Sequence, residues 1–162
     1  MTHPFSLETR HRKLETIPVD PARIAALLAP FLQAPPGGPA TLDPAQLAQV
    51  SAYLDLLLRW NARINLTAVV HPEQVVTRHF GESFFAARQL LPAPRATTAR
   101  LLDLGSGAGF PGLPLKIFAP AAPLTLIESN HKKAAFLKEV VRALTLSDVN
   151  VFCGRAQDLV IR

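Results

Sequence analysis

The 162-residue sequence predicts an open, doubly wound α/β sheet preceded by helices, on three observations. Three short apolar runs, Leu101–Leu104, Leu124–Ile127 and Val149–Phe152, have the length and composition of buried strands. Between the second and third lies Lys132–Leu144, where Leu137, Val140, Val141 and Leu144 repeat at helical spacing, as a crossover between parallel strands requires. Directly after the first run, four of the eight glycines crowd into the stretch from Asp103 to Gly112, the mark of a tight strand-to-helix turn.

The preceding elements follow in order. Eight of the fifteen prolines fall in the first 44 residues, so residues 1–42 read as a flexible, Pro-rich leader, with 34–40 as linker and Pro21–Leu32 able to form one short amphipathic helix. The folded domain is expected over 43–162, with helices in 43–92 and the sheet-forming half in 100–162. Asp43 can cap a helix that Pro44 opens, and Leu47, Val50, Leu54, Leu57 and Leu58 form its apolar stripe before the polar stretch Arg59–Asn65. A second helix is predicted over Pro72–Leu91, burying Val76, Phe80, Phe84, Ala87 and Leu91, and Pro92-Ala93-Pro94 breaks it.

Composition bounds the function. Cys153 stands alone, so no internal disulfide or Cys-based zinc site can be assembled, and a reducing cytoplasm fits best. The five histidines show no metal-ligand spacing, and no metal is expected. The apolar stretch Ile24–Leu32 is interrupted by Pro30 and falls far short of the roughly 18 residues of a membrane span. Seventeen Lys+Arg against twelve Asp+Glu give a net charge of +5, which favours polyanionic partners such as RNA.

The glycine loop can floor a site for a dinucleotide, a nucleotide phosphate or S-adenosylmethionine. Phe110 stands where a dinucleotide fingerprint needs its third glycine, and Pro111 and Pro114 remove N–H donors from the helix start. Lys116 is neither spaced nor followed as a P-loop lysine must be. S-adenosylmethionine needs no anion hole of that kind: Gly105, Ser106, Gly107 and Gly109 would floor it and Asp103 would face its positive charge. Glu128, 23 residues after Gly105 at the end of the second strand, can accept the ribose hydroxyls. The polar turn from Cys153 to Asp158, with Ala156 and Gln157, could frame the adenine. Ordinary tight turns of an α/β sheet are the alternative reading of the glycine loop and of Glu128.

The run Leu101-Leu102-Asp103-Leu104-Gly105-Ser106-Gly107-Ala108-Gly109-Phe110-Pro111-Gly112-Leu113-Pro114-Leu115 resembles the cofactor loop of the bacterial 16S rRNA guanine-N7 methyltransferases, once called glucose-inhibited division protein B. The likeness extends to Trp60-Asn61, Asn65-Leu66-Thr67, Arg78-His79 with Glu82-Ser83, and Ser129, Lys132, Lys133, Phe136 and Leu137, covering about residue 43 onward. It implies a class I S-adenosylmethionine-dependent methyltransferase, Rossmann-like, with its first three strands present. It also implies contacts to the cofactor from Gly105, Phe110, Ala156 and Gln157, with Glu128 at the ribose. Glu82 stands where the family often has Asp, and Gln157 where it often has Glu. The further strands of such enzymes, with a Ser-Arg segment after the fourth strand, are absent from this sequence.

The implied chemistry is methyl transfer to N7 of a guanine in 16S rRNA of the small ribosomal subunit. N7 carries a lone pair and no proton, so no general base and no acid–base residue is expected. Cys153 reads as a buried small hydrophobe, not a nucleophile. Expected RNA contacts are Asn61, Arg63, Asn65, Arg78, His79, Lys132 and Lys133. Each has a local alternative: Arg78 could pair with Glu82, His79 could bond Ser83, and the lysines could be a solvated helix start. A second reading is a catalytically silent cofactor- or RNA-binding fragment, because the first strand would be left an unpaired apolar edge, inviting self-association. An NAD-dependent enzyme is the third.

Overall fold

The computed structural model describes residues 19–33, 40–91, 97 and 99–158. Leader residues 1–18, linker residues 34–39, the breaker at 92–94 and residues 159–162 lie outside them. Helix α1 (Pro21–Leu32) starts where the Asp20 carboxylate accepts the Arg23 N–H at 2.9 Å. Ile24, Leu28 and Leu32 are buried, so this helix, read from sequence as part of the leader, is a member of the main core.

Helix α2 (Pro44–Asn61) opens with a reciprocal cap: Gln46 N–H donates to Asp43 and Asp43 N–H donates to the Gln46 side chain, both at 2.9 Å. Its stripe buries Val50, Leu54 and Leu57, with Leu47 and Leu58 half-buried at its margins. Tyr53, which the stripe omitted, is fully buried.

The single α-helix predicted over Pro72–Leu91 is corrected. It runs as α3 (Pro72–Gln74), a π-helical stretch Val75–Gly81, and α4 (Glu82–Leu90). The expected face is buried, and so is Val75. The wider turn, with bonds spanning five residues, aligns Val75 with Phe80 and Val76 with Gly81, so both pairs face the core.

Strands β1 (Leu101–Leu104), β2 (Leu124–Glu128) and β3 (Val149–Cys153) form a parallel sheet in the order β1-β2-β3, with Leu101 opposite Leu124 and Leu124 opposite Val149. Helices α5 (Gly112–Phe118) and α6 (His131–Ala143) make the crossovers. Because strand order advances in one direction, right-handed crossovers place both helices on one face. On that face α2 packs against α5 and α6, and α4 against α5. Asn130 caps α6, its side-chain oxygen accepting the N–H groups of Lys132 and Lys133 at 2.9 and 3.2 Å. Lys116, fully buried, donates to the carbonyls of Pro120 and Ala122 at 2.7 and 2.8 Å and ties down the turn after α5. Leu102 and Leu104 share the opposite face and are 51% and 61% exposed.

Candidate functional site

The glycine loop leaves β1 as an extension of the sheet: Gly105 and Ser106 N–H both donate to the Ile127 carbonyl, at 2.8 and 3.0 Å. Ser106 is buried and its hydroxyl donates to the Asp103 carbonyl at 3.0 Å. Positive φ values of 72°, 55° and 90° at Gly105, Gly107 and Gly109 turn the chain toward α5. A Cβ at Gly105 would meet nothing within 4 Å, so the outer side of the loop is open. A Cβ at Gly109 would collide with the Tyr53 hydroxyl and with Leu113 Cδ1 at 2.5 Å. One loop thus has an open mouth and a packed base.

The packed base explains Tyr53, which the sequence reading missed because a tyrosine in an apolar stripe carries no motif. Its hydroxyl donates to the Ala108 carbonyl, and its ring stacks on Phe110 at 5.3 Å and 4°. Burial pushes its pKa well above 10, so it remains a neutral donor. Phe110 lies between Tyr53 and His79, whose ring stacks at 5.0 Å and 28°, and meets Phe80 edge-on at 5.1 Å. Its side chain therefore anchors the loop to the helical layer.

Glu128 joins the three loops that the sequence brought toward one crevice. Its carboxylate, buried at 7% exposure, accepts Gly107 N–H at 2.8 Å on one oxygen and Asn130 N–H at 2.7 Å on the other. Its backbone carbonyl accepts Gly154 N–H at 3.0 Å from the turn after β3. Each carboxylate oxygen keeps a further lone pair. Asp103, half-buried at the foot of the loop, accepts Gly112 N–H at 3.2 Å, and burial raises its pKa above the usual carboxylate value. Ala156 and Gln157 are exposed on a 3-10 turn, Ala156–Asp158, beside Glu128's neighbour Gly154.

The residues expected to meet RNA divide. Asn61 accepts Leu66 and Thr67 N–H at 2.8 and 2.9 Å and donates to the Thr67 carbonyl at 3.0 Å, closing the loop after α2. His79 Nε2 shares a 2.7 Å hydrogen bond with the Thr67 hydroxyl, which also accepts Val69 N–H at 3.1 Å. Burial lowers the His79 pKa and favours the neutral ring. Asn61 and His79 are thus both hydrogen-bonded within the fold. The expected His79–Ser83 bond is the Ser83 hydroxyl donating to the His79 carbonyl at 2.6 Å.

Arg63, Asn65, Arg78 and Lys132 are exposed and Lys133 is half-buried. Among the described residues Arg78 forms no ion pair with Glu82. Cys153 is also corrected: it is half-buried, with its sulfur 3.2 Å from His131 Nδ1. Among the described residues no group of three or more His, Cys, Asp or Glu could hold a metal, and no helix is long and apolar enough to cross a membrane.

A family model described as GidB, rRNA small subunit methyltransferase G, matches residues 46–161, from the first turn of α2 through β1, β2 and β3. The chain belongs to this family. It is 49% identical over 118 residues to the ribosomal RNA small subunit methyltransferase G of Xylella fastidiosa strain M23, covering 73% of this chain and 53% of that protein. Its likeness to the protein of the same name from Roseiflexus castenholzii is 47% over 116 residues, 72% of this chain and 48% of that one. For Alkaliphilus metalliredigens the identity is 42% over 117 residues, with 72% and 48% covered. The chain spans about half the length of these curated relatives. Membership of the GidB family and the parallel sheet together give the fold as class I methyltransferase, Rossmann-like, with three strands among the described residues.

Proposed function

We propose that this chain carries the donor-binding part of an enzyme that moves a methyl group from S-adenosylmethionine to N7 of a guanine in 16S rRNA of the small ribosomal subunit. The observation that carries this reading is the crevice at the carboxyl ends of the strands, where Glu128 links the glycine loop and the turn after β3. The open space above Gly105 and the unused lone pairs of Glu128 fit a nucleoside laid across the loop with its ribose hydroxyls on the carboxylate. Asp103 beneath the loop is the carboxylate available to a positively charged donor, and Ala156 and Gln157 flank the place of its base. When bound, the donor supplies an electrophilic methyl group on a sulfonium.

Guanine N7 bears no proton, so the residues of this chain need only orient, exclude water and neutralise charge. Asn61, Thr67 and His79 hold Phe110 and thereby the loop, while Arg63, Asn65, Arg78, Lys132 and Lys133 meet the RNA. Transfer of tritiated methyl from S-adenosylmethionine to small subunits lacking the modification tests the reading. Methyl incorporation that is lost in Glu128→Ala supports it, and calorimetric binding of a nicotinamide dinucleotide but not of S-adenosylmethionine overturns it.

The exposed Leu102 and Leu104 favour a second reading, in which this chain binds donor or RNA without turnover and self-associates through β1. Sedimentation separates the two: a stable monomer that transfers methyl groups excludes it.

A further inference from the structure

We propose that the cavity between the end of α2 and the first turn of α6 holds one nucleotide of single-stranded RNA, its base against Trp60 and its phosphates on Arg63 and Lys132. The proposal rests on the RNA reading above and concerns a nucleotide other than the methylated guanine. The cavity measures about 340 Å³ and is lined by Trp60, Arg63, Ile64, His131, Lys132 and Ala135. That volume falls within the range of small-ligand sites. Trp60, Ile64 and Ala135 make an apolar floor, while the rim carries a guanidinium, an ammonium and an imidazole and no carboxylate. Among the described residues neither Arg63 nor Lys132 has an ion-pair partner.

Among the described residues no carboxylate pairs with the cations at the start of α6. The first turn of α6 contains no acid and carries His131, Lys132 and Lys133, although the helix dipole disfavours cations at that end. An external anion reverses that disadvantage. An aromatic plate beside unpaired cations is the combination that receives a base and its phosphates together. Trp60 is braced by Phe136 at 5.7 Å and 60°, and Phe136 by Tyr53 at 6.3 Å, so the plate is continuous with the base of the glycine loop. His131, three residues on from Glu128, also touches Cys153 at the end of β3.

Trp60 is the only tryptophan, so tryptophan emission excited apart from tyrosine reports on the cavity alone. The chain is titrated with a short single-stranded RNA, following tryptophan emission and, with an end-labelled copy, anisotropy. The expected result is quenching with the same midpoint as the anisotropy rise, and no quenching by inorganic polyphosphate. Trp60→Leu should weaken binding by about 5- to 150-fold, with Trp60→Phe retaining most of it. Ala135→Glu, at an exposed position, should weaken binding while leaving the urea midpoint unchanged. Anisotropy that rises without a change in Trp60 emission overturns the cavity and leaves the RNA reading standing, as does equal quenching by polyphosphate. No change in either signal removes the RNA reading and the proposal with it. An Ala135→Glu chain that binds RNA normally but small subunits poorly would assign the cavity to a protein and overturn the proposal.

Discussion

Gly105 and Gly109 stand four residues apart in one loop and both have positive φ, yet a methyl group would enter open space at the first and packed side chains at the second. The same division runs through the polar residues. Asn61, Thr67 and His79 bond among themselves, whereas Arg63, Arg78 and Lys132 are exposed with no carboxylate on them among the described residues. The residues that carry the family likeness are therefore of two kinds, those that hold the loop in place and those available to a ligand. A substitution separates the kinds, because the first acts on stability and the second on binding.

The largest effect is expected at the packed base. Gly109→Ala adds left-handed strain of about 1–2 kcal/mol and overpacking of about 1–3 kcal/mol against Tyr53 and Leu113, for a loss of about 2–5 kcal/mol in urea denaturation. Gly105→Ala meets only the strain, about 1–2 kcal/mol, but should abolish calorimetric binding of S-adenosylmethionine. Equal stability losses at the two glycines would break the comparison. Next comes Asn61→Ala, which strips partners from two N–H groups and a carbonyl in the loop after α2. It should cost about 1–3 kcal/mol in the same assay, while the salt dependence of RNA binding stays as it was.

That Asn61 acts inward shows where the sequence stops being legible. The three strands, the α6 crossover, the cap at Asp43 and the convergence on Glu128 follow from periodicity and turn chemistry, which are local and survive in one dimension. The π-helical stretch did not follow, because apolar residues at 75, 76, 80, 84 and 87 satisfy an α-helical period well enough; only packing selects the wider turn. Tyr53 was invisible for a similar reason: its role depends on Ala108 and Phe110, 55 and more residues away. The inward bonds of Asn61 and His79 were not legible because their partner, Thr67, has no charge to advertise them. Net charge indicated a polyanion, but only the fold separates the cations left without acids from those, such as Arg23 with Glu73 at 2.7 Å, that are paired.

A smaller effect, in pH, sharpens the inward assignment. Burial lowers the His79 pKa, so the folded state holds fewer protons than the unfolded chain, whose imidazole titrates near 6.5. The stability that neutral His79 confers is complete above about 6.5 and declines as pH falls from there through the depressed folded value. His79→Gln should flatten that part of the stability profile measured by urea midpoints. An unchanged profile would place His79 with the outward group.

The smallest change in stability belongs to Arg78, and its near-absence is the informative result. Arg78 is exposed on the π-helical stretch, two residues from buried Phe80, and among the described residues it makes no ion pair with Glu82, four residues on. Arg78→Ala removes no hydrogen bond or ion pair among the described residues, so the urea midpoint should move by no more than about 0.5 kcal/mol. If the guanidinium neutralises an RNA phosphate, affinity should fall alike for all sequences, and the slope of log affinity against log salt should drop by about one. A stability loss with an unchanged slope would mean that Arg78 pairs within the fold, and would move it across the division that Gly105 and Gly109 define.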